Sequence, residues 1–163
     1  MTRTKSLFVF AVLLIITYGV GTLASLFAAP ALPGWYASLT KPPLTPPDWV
    51  ISLVWSVLYA MIAEAAWRTV RAAGGVRAAR RELVAYGVQL LLAFSWSLIF
   101  FGLRNPGAAL IGIVMLELAI LATMAEFWRR SRVAGMMMMP YALWVLFTAY
   151  LNGAIWLLNA PNY

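Results

Sequence analysis

Five long apolar stretches dominate the sequence, and each is long enough to cross a lipid bilayer as a helix. They cover approximately residues 6–28, 47–71, 81–102, 106–130 and 134–159. A helix needs about 20 apolar residues to span a hydrocarbon core of about 30 Å. No sustained alternation of apolar and polar residues indicates the strands of a membrane barrel. The pattern predicts an all-α integral membrane protein that folds, over residues 1–163, as a single bundle of five transmembrane helices.

The composition excludes a soluble enzyme. Apolar residues make up 64% of the chain and charged residues 10%, whereas soluble domains are about 45–50% apolar and about 25% charged. A globule of 163 residues has too small an interior to hide that much apolar surface from water. The first stretch also exceeds the apolar region of a signal peptide, which is about 7–15 residues long. We therefore expect it to be a retained helix.

The chain contains no cysteine and no histidine. This removes thiolate chemistry, the usual general base and the commonest protein ligand of metals and haem. We expect no metal site and no required cofactor. Any catalysis would have to proceed without a conventional acid–base pair.

The basic residues are distributed unevenly between the two sides of a five-helix bundle. Those on the side of the N-terminus are Arg3, Lys5, Arg68, Arg71, Arg77, Arg80, Arg81, Arg129, Arg130 and Arg132. Lys41 and Arg104 fall on the other side. Because cytoplasmic loops carry the excess of Lys and Arg, we predict a cytoplasmic N-terminus, with the loop 29–47 and the C-terminus outside. This topology and anionic headgroups account for the net charge of +7 without a nucleic-acid partner.

The segment between the first two helices, residues 29–47, is rich in proline. Its six prolines are Pro30, Pro33, Pro42, Pro43, Pro46 and Pro47. They exclude a long helix there and stiffen the segment, which is either a lid over the bundle or a rigid connector. The run from Thr45 to Asp48 predicts the start of the second helix, with the Thr45 hydroxyl as its cap.

Aromatic and polar side chains share helical faces inside three spans. The second helix has Trp55 and Tyr59, the third has Gln89, Ala93, Trp96 and Phe100, and the fifth has Tyr141, Trp144, Thr148, Asn152 and Asn159. Amides and hydroxyls are costly against lipid, so these faces are predicted to point into the bundle. They form either a hydrogen-bonded core or the lining of a cavity. Trp49, Trp128 and Trp156, near span ends, are typical of the membrane interface.

Several motifs resemble those of the tryptophan-rich sensory protein/translocator protein (TspO/MBR) family, also called the peripheral-type benzodiazepine receptor family. The first block is Trp35-Tyr36-Ala37-Ser38-Leu39-Thr40-Lys41-Pro42, followed by Pro46-Pro47-Asp48-Trp49-Val50, Trp55 and Leu58-Tyr59. Later matches are Gln89-Leu90, Trp96, Phe100-Phe101-Gly102, Pro140-Tyr141, Trp144 and Leu151-Asn152. The resemblance covers nearly the whole chain, with the motifs in the order typical of the family.

The resemblance implies a receptor or sensor, commonly a homodimer in a bacterial inner membrane. It would bind porphyrins such as protoporphyrin IX, and other flat lipophilic molecules, in an aromatic pocket closed by the first loop. The ligand-binding residues it implies are Trp35, Tyr36, Pro42, Trp55, Tyr59, Ala93, Trp96, Tyr141, Trp144, Thr148 and Asn152. As an alternative, Trp55 and Trp144 match the tryptophans linked to porphyrin degradation by light and oxygen. A porphyrin or lipid transporter is a third reading.

The chain departs from the family pattern at three places. Ala93 stands where the family usually has Asn, which removes one polar contact. Thr148 stands where a small apolar residue is more common, so a narrower and more polar pocket is expected. The cholesterol motif of animal members is absent after Leu151, which argues against cholesterol as the ligand. With neither His nor Cys to ligate iron, metal-free porphyrin is favoured over haem.

Charged side chains within the spans lead to separate expectations. Glu117 lies near the middle of the fourth helix, where an acid is either functional or a protonated carboxyl hydrogen-bonded to another helix or across a dimer interface. The spacing of four residues predicts two ion pairs, Glu64 with Arg68 and Glu126 with Arg130. Lys41 at the outward mouth could pair with a porphyrin propionate, an interaction that solvent weakens to about 1 kcal/mol or less.

Overall fold

The computed structural model describes residues 2–160, and throughout that range the secondary structure is helical, without strands. Its helices are α1 (Arg3–Ala31), α2 (Asp48–Ala72), α3 (Arg80–Ser97), α4 (Pro106–Arg130) and α5 (Arg132–Asn159). All five are long and apolar enough to cross a membrane. The all-α, five-helix membrane fold is therefore confirmed. The ends of the predicted domain, residue 1 and residues 161–163, lie outside the described residues.

Two helices continue through a wider π-helical turn at the same end of the bundle. The turn after α1 spans Leu32–Tyr36, and the turn after α3 spans Leu98–Gly102. We call this end, with loop 39–47 and the turn at 103–105, the loop end. The opposite end, with the turn at 73–79 and Ser131, is the arginine end. Both π turns place aromatic side chains in the loop-end half of the bundle.

Polar side chains begin the last two helices. The Asn105 side chain accepts a hydrogen bond from the Ala108 N–H (3.0 Å), and proline at the first position suits a helix start. Ser131 both ends α4 and begins α5: its N–H donates to the Phe127 carbonyl (2.8 Å) and its hydroxyl accepts from the Ala134 N–H (3.3 Å). α4 and α5 thus form a hairpin with a single connecting residue.

The helices form one packed bundle around a mostly aliphatic core. α4 packs most extensively against α5 and α3, while α1 packs against α2 and α3, and α2 against α5. Ile62, Leu116 and Val145 are fully buried where these helices meet. Trp49 and Trp128, by contrast, are 69% and 42% exposed near helix ends, as expected for residues at the membrane interface.

The predicted loop 29–47 is shorter in the structure than in the sequence analysis. Helical backbone continues to Ser38, so the irregular segment covers residues 39–47. Pro30 lies inside α1, and Pro33 occupies the first turn of the π-helical segment. The expectation that the prolines exclude helix was wrong for these two. A proline inside a helix cannot donate to the carbonyl one turn earlier, which distorts the helix, and the wider π-helical turn here includes Pro33 and follows Pro30.

The predicted cap of α2 was also wrong. The Thr45 hydroxyl donates to the Pro42 carbonyl (2.8 Å), within the loop, and no side chain caps the helix. Pro47 is extended, with φ −59° and ψ 149°, and α2 begins only at Asp48. A residue before proline is driven towards extended backbone, so consecutive prolines delay the helix until they have been passed.

One of the two predicted ion pairs at the arginine end forms as expected. The Arg68 guanidinium donates from Nε and Nη2 to Glu64 Oε1, at 2.9 Å and 2.6 Å. Both side chains are partly exposed, so the pair adds only a few tenths of a kcal/mol, on the order of 0.3–0.5, to helix stability.

The second predicted pair was wrong, because both partners bind other residues. Glu126 Oε1 accepts from Arg81 of α3 (2.8 Å) and from Arg129 of its own helix (3.2 Å). Arg130 instead donates to the buried carboxylate of Glu82 in α3. Close packing of α3 on α4 brings these charges together, and contacts between helices replace the pairing expected within one helix.

Candidate functional site

A cavity of about 490 Å³ lies in the half of the bundle next to the loop end. Its walls come from α1, α2, α3, α5 and the two π-helical turns, and among the described residues none from α4. The volume falls within the range of about 300–1,000 Å³ that is typical of small-molecule sites. The cavity is therefore the candidate binding site of the described chain.

One side of the cavity is formed by aromatic residues of α2 and α5. The rings of Trp55 and Tyr59 lie 5.5 Å apart between centroids, at an angle of 35°. Trp144 of α5 lines the same cavity, and its indole Nε1 is buried without a hydrogen-bond partner among the described residues. Trp55 and Trp144, from separate helices, thus share one cavity.

A second aromatic group closes the cavity towards the loop end. Trp96 of α3 and Phe100 of the π-helical turn after it lie 5.6 Å apart, and Phe100 and Phe101 lie 4.8 Å apart. The ring of Tyr36, from the turn after α1, is 5.7 Å from Phe101. Aromatic contacts of this kind contribute about 0.5–1.5 kcal/mol each beyond buried area.

A buried amide holds Trp96 in place. The Trp96 indole N–H donates to Asn152 Oδ1 (3.0 Å), and the Asn152 amide nitrogen donates to the Pro106 carbonyl (2.7 Å) at the start of α4. Asn152 is almost fully buried. The polar and aromatic face predicted for α5 therefore serves both alternatives. Asn152 belongs to a hydrogen-bonded core and also lines the cavity.

The structure brings together eight of the residues that the sequence analysis proposed for ligand binding. They are Tyr36, Trp55, Tyr59, Ala93, Trp96, Trp144, Thr148 and Asn152. The other three, Trp35, Pro42 and Tyr141, do not line the cavity. Trp35 packs on the ring of Phe100 at 5.7 Å, and Pro42 is buried in the loop.

Tyr141 lies behind the cavity wall. It is fully buried, and its hydroxyl donates to Gln89 Oε1 (2.9 Å). Its ring meets Trp55 edge-on at 6.2 Å, so it supports the indole from the side away from the cavity. Gln89, too, serves the core and is absent from the lining.

The sequence analysis missed the wall that α1 supplies. Its lining residues are Tyr18, Gly21, Thr22, Ala24, Ser25, Ala28 and Ala29, and Leu32 of the following π-helical turn continues the wall. Small residues at 21, 25 and 28 follow helical spacing, which is the one signal that could have revealed this face. The Tyr18 hydroxyl donates to the Ser56 carbonyl (2.7 Å) and joins α1 to α2.

A close contact between α1 and α2 sets the depth of the cavity. A Cβ atom at Gly21 would lie 2.2 Å from Cε2 of Tyr59, so the ring rests directly on the glycine. Gly19, two residues earlier, has nothing within 4 Å of the corresponding position. Glycine at position 21 thus allows the Tyr59 ring to lie against α1.

Neither intramembrane Glu117 nor loop residue Lys41 lines the cavity. Glu117 is half-buried in α4, and its Oε2 has no hydrogen-bond partner within residues 2–160. Lys41 Nζ lies 4.5 Å from the ring centroid of Tyr36 and donates to the Leu39 carbonyl (3.4 Å). Across the same range, no three Asp, Glu, His or Cys side chains are grouped to hold a metal ion.

These features define a class of protein: a membrane-spanning bundle of five helices with an aromatic cavity in the half nearest the first interhelical loop. Residues 11–157 match the sequence profile of the TspO/MBR family. The chain belongs to that family, and the family prediction made from its motifs is confirmed. The prediction that the protein is an integral membrane protein is also confirmed.

Relatives from an archaeon, a bacterium and an animal support the assignment. The chain is 38% identical over 144 residues to tryptophan-rich protein TspO of Archaeoglobus fulgidus, covering 86% of this chain and 90% of that protein. It is 34% identical over 154 residues to protein CrtK of Rhodobacter capsulatus, covering 94% of each. It is 36% identical over 123 residues to the translocator protein of Homo sapiens, covering 75% of this chain and 73% of that one.

Proposed function

We propose that this protein is a membrane receptor that binds porphyrins such as protoporphyrin IX, and other flat lipophilic molecules, in the cavity at the loop end. The observation that carries the proposal is the convergence of Trp55, Trp96 and Trp144 from three helices on one cavity, with Tyr36 above them. Flat aromatic walls suit a planar apolar guest, because each ring contact adds about 0.5–1.5 kcal/mol beyond buried area. The names of two relatives, a translocator protein and a tryptophan-rich sensory protein, are compatible with this role.

The same proposal includes an orientation and an assembly. The arginine end lies on the cytoplasmic side of a bacterial inner membrane, because loops rich in Lys and Arg remain in the cytoplasm. Loop 39–47 then faces outward and connects two elements whose residues Tyr36 and Asp48 line the cavity. We further propose that the receptor works as a homodimer surrounded by lipid, with metal-free porphyrin as ligand and no resident cofactor.

The test is a titration of the protein in lipid nanodiscs with protoporphyrin IX, followed by the porphyrin absorption band. Empty nanodiscs correct for porphyrin that dissolves in lipid. The double variant Trp55→Ala/Trp144→Ala is expected to weaken binding by about tenfold or more, as the loss of two ring contacts implies. A matched double variant, Trp49→Ala/Trp128→Ala, removes two indoles outside the lining and should bind like the unaltered protein. Equal losses in both double variants would overturn the pocket assignment.

A second candidate function, oxidation of bound porphyrin in light and oxygen, is favoured by the shared position of Trp55 and Trp144 in the cavity. The indoles of both residues are oxidisable and line the cavity in which the porphyrin would be held. Under illumination, porphyrin absorbance should fall faster with the native protein than with boiled protein, and Trp55→Phe or Trp144→Phe should slow the loss while binding persists. Equal rates for native and boiled protein would exclude it. The third alternative, transport, has less support, because the intramembrane acid Glu117 lies outside the cavity lining.

A further inference from the structure

The cavity lining contains one charged side chain, and it is acidic. Asp48, the first residue of α2, lines the cavity, and no Lys or Arg does so among the described residues. The four ion pairs within residues 2–160 involve other carboxylates. Asp48 is exposed, so its charge is hydrated but unpaired at the edge of the cavity.

The two cations of the loop end, Lys41 and Arg104, form no ion pair with Asp48. Lys41 directs its ammonium group onto the ring of Tyr36 and the Leu39 carbonyl. Arg104 is exposed in the turn between α3 and α4, outside the lining. A ligand carboxylate entering beside Asp48 would therefore meet a like charge and no lining cation.

Three serine hydroxyls of the lining, one from α1 and two from α2, point to the same preference. Ser52 Oγ donates to the Asp48 carbonyl (3.0 Å), Ser56 Oγ to the Ser52 carbonyl (2.9 Å) and Ser25 Oγ to the Thr22 carbonyl (2.7 Å). A hydroxyl whose proton is committed to the backbone offers a ligand only its lone pairs. These three hydroxyls therefore present acceptors, which complement a ligand that donates hydrogen bonds, whereas the unpaired donor of the lining, Trp144 Nε1, lies on α5.

The geometry points to a charge preference in the ligand, an inference that rests on the proposed binding of flat lipophilic molecules in this cavity. We propose that Asp48 and the three serines select ligands whose polar end is cationic or a neutral hydrogen-bond donor. A carboxylate end is disfavoured, so a dicarboxylic porphyrin would bind more weakly than an otherwise identical porphyrin that carries ammonium groups. Asp48 acts as a specificity residue at the mouth, while the aromatic rings hold the flat part of the ligand.

Three probes with one macrocycle separate charge from shape: protoporphyrin IX, its dimethyl ester, and its diamide with two primary amino groups. Affinities are measured in nanodiscs of zwitterionic lipid at pH 7.5, and each is divided by the affinity of the ester. Asp48→Asn is expected to raise the relative affinity of the dicarboxylate, and to lower that of the diamine, by about twofold to fivefold, as for a partly screened charge pair. The effect should shrink in high salt.

Two matched variants control for changes in folding and in distant charge. Asp48→Glu keeps the charge and should retain the native ratios, whereas Glu64→Gln removes a carboxylate outside the lining and should leave them unaltered. If the ester binds but Asp48→Asn leaves both ratios unchanged, the charge preference is wrong and the receptor proposal stands. If none of the three probes binds above empty nanodiscs, the receptor proposal fails and the charge preference fails with it.

Discussion

Asn159 of α5 holds the backbone of Thr40 by a pair of hydrogen bonds. Its amide nitrogen donates to the Thr40 carbonyl (2.9 Å), and the Thr40 N–H donates to Asn159 Oδ1 (3.0 Å). The same nitrogen also donates to the Ile155 carbonyl (2.7 Å), which fixes the side chain on its own helix. Loop 39–47 is thus attached to the end of a helix that lines the cavity.

Asn159→Ala should release this loop. Loss of two hydrogen bonds removes about 1–3 kcal/mol of local stability, so amide hydrogen exchange in residues 39–47 should accelerate by about tenfold or more. Porphyrin should also dissociate faster if the loop covers the cavity. Asn159→Asp retains the acceptor but not the donors, and it should give an intermediate exchange rate. Unchanged exchange in both variants would mean that the loop is held by other contacts.

Asn152→Leu should destabilise the bundle and disorder one wall of the cavity. The substitution leaves the Trp96 N–H and the Pro106 carbonyl unpaired, at a cost of about 1–3 kcal/mol in the free energy of unfolding. Thermal unfolding in detergent measures it. Trp96→Phe removes the indole N–H that Asn152→Leu leaves unpaired. The double variant should therefore lose less free energy of unfolding than the two single variants lose together. Strict additivity would show that the two side chains do not interact.

Gly21→Ala should damage the cavity, whereas Gly19→Ala should not. The new methyl group at position 21 would overlap the Tyr59 ring, and relief of that overlap costs about 1–3 kcal/mol. At Gly19 there is open space, so alanine should be neutral or stabilise α1 by up to about 1 kcal/mol. The midpoint temperature of unfolding and the porphyrin affinity should both fall in Gly21→Ala, and neither should fall in Gly19→Ala. Equal behaviour of the two variants would contradict the close contact of Tyr59 with α1.

Arg130→Ala should destabilise the protein more than Arg129→Ala. Glu82, which is 3% exposed, loses its ion-pair partner when Arg130 is removed, whereas Glu126 keeps Arg81 when Arg129 is removed. An uncompensated buried carboxylate costs up to about 3–5 kcal/mol, whereas a surface pair is worth about 0–1 kcal/mol. Chemical denaturation at neutral pH compares the two. Equal midpoints would show that water reaches Glu82 and replaces the arginine.

The helices and most of the aromatic cavity residues could be predicted from the sequence. The length of an apolar stretch and the cost of exposing a polar side chain to lipid can both be evaluated for one helix at a time. Trp55, Trp96 and Trp144 were recognised because indoles on polar helix faces indicate the bundle interior. The α1 wall was missed since Gly21 and Ser25 have no bulk or amide to mark them. Their place in the lining depends on the packing of Tyr59, which one sequence does not reveal.

The wrong predictions share a cause. Each follows from the local sequence, whereas contacts between helices determine the arrangement in the structure. The spacing of four residues predicted Glu126 with Arg130, yet the rotation of α4 against α3 places Glu82 within reach of Arg130. Tyr141 lies on the same helical stripe as Trp144, but it packs behind Trp55 instead of beside the cavity. The prolines of residues 29–47 were predicted to exclude a long helix, yet Pro33 lies within the π-helical turn that carries Tyr36 to the cavity.

The single-residue link at Ser131 has a mechanical consequence. The link joins the two helices at the arginine end, and α4 packs on α5 more extensively than any other two helices pack together, so we expect α4 and α5 to shift as one unit. Among the described residues α4 contributes nothing to the cavity walls, and it therefore serves as a fixed backing for α5. Widening that admits a bulky guest is therefore expected in the other walls, one of which, α1, is held on α2 by the Tyr18 hydroxyl and by the contact of Tyr59 with Gly21.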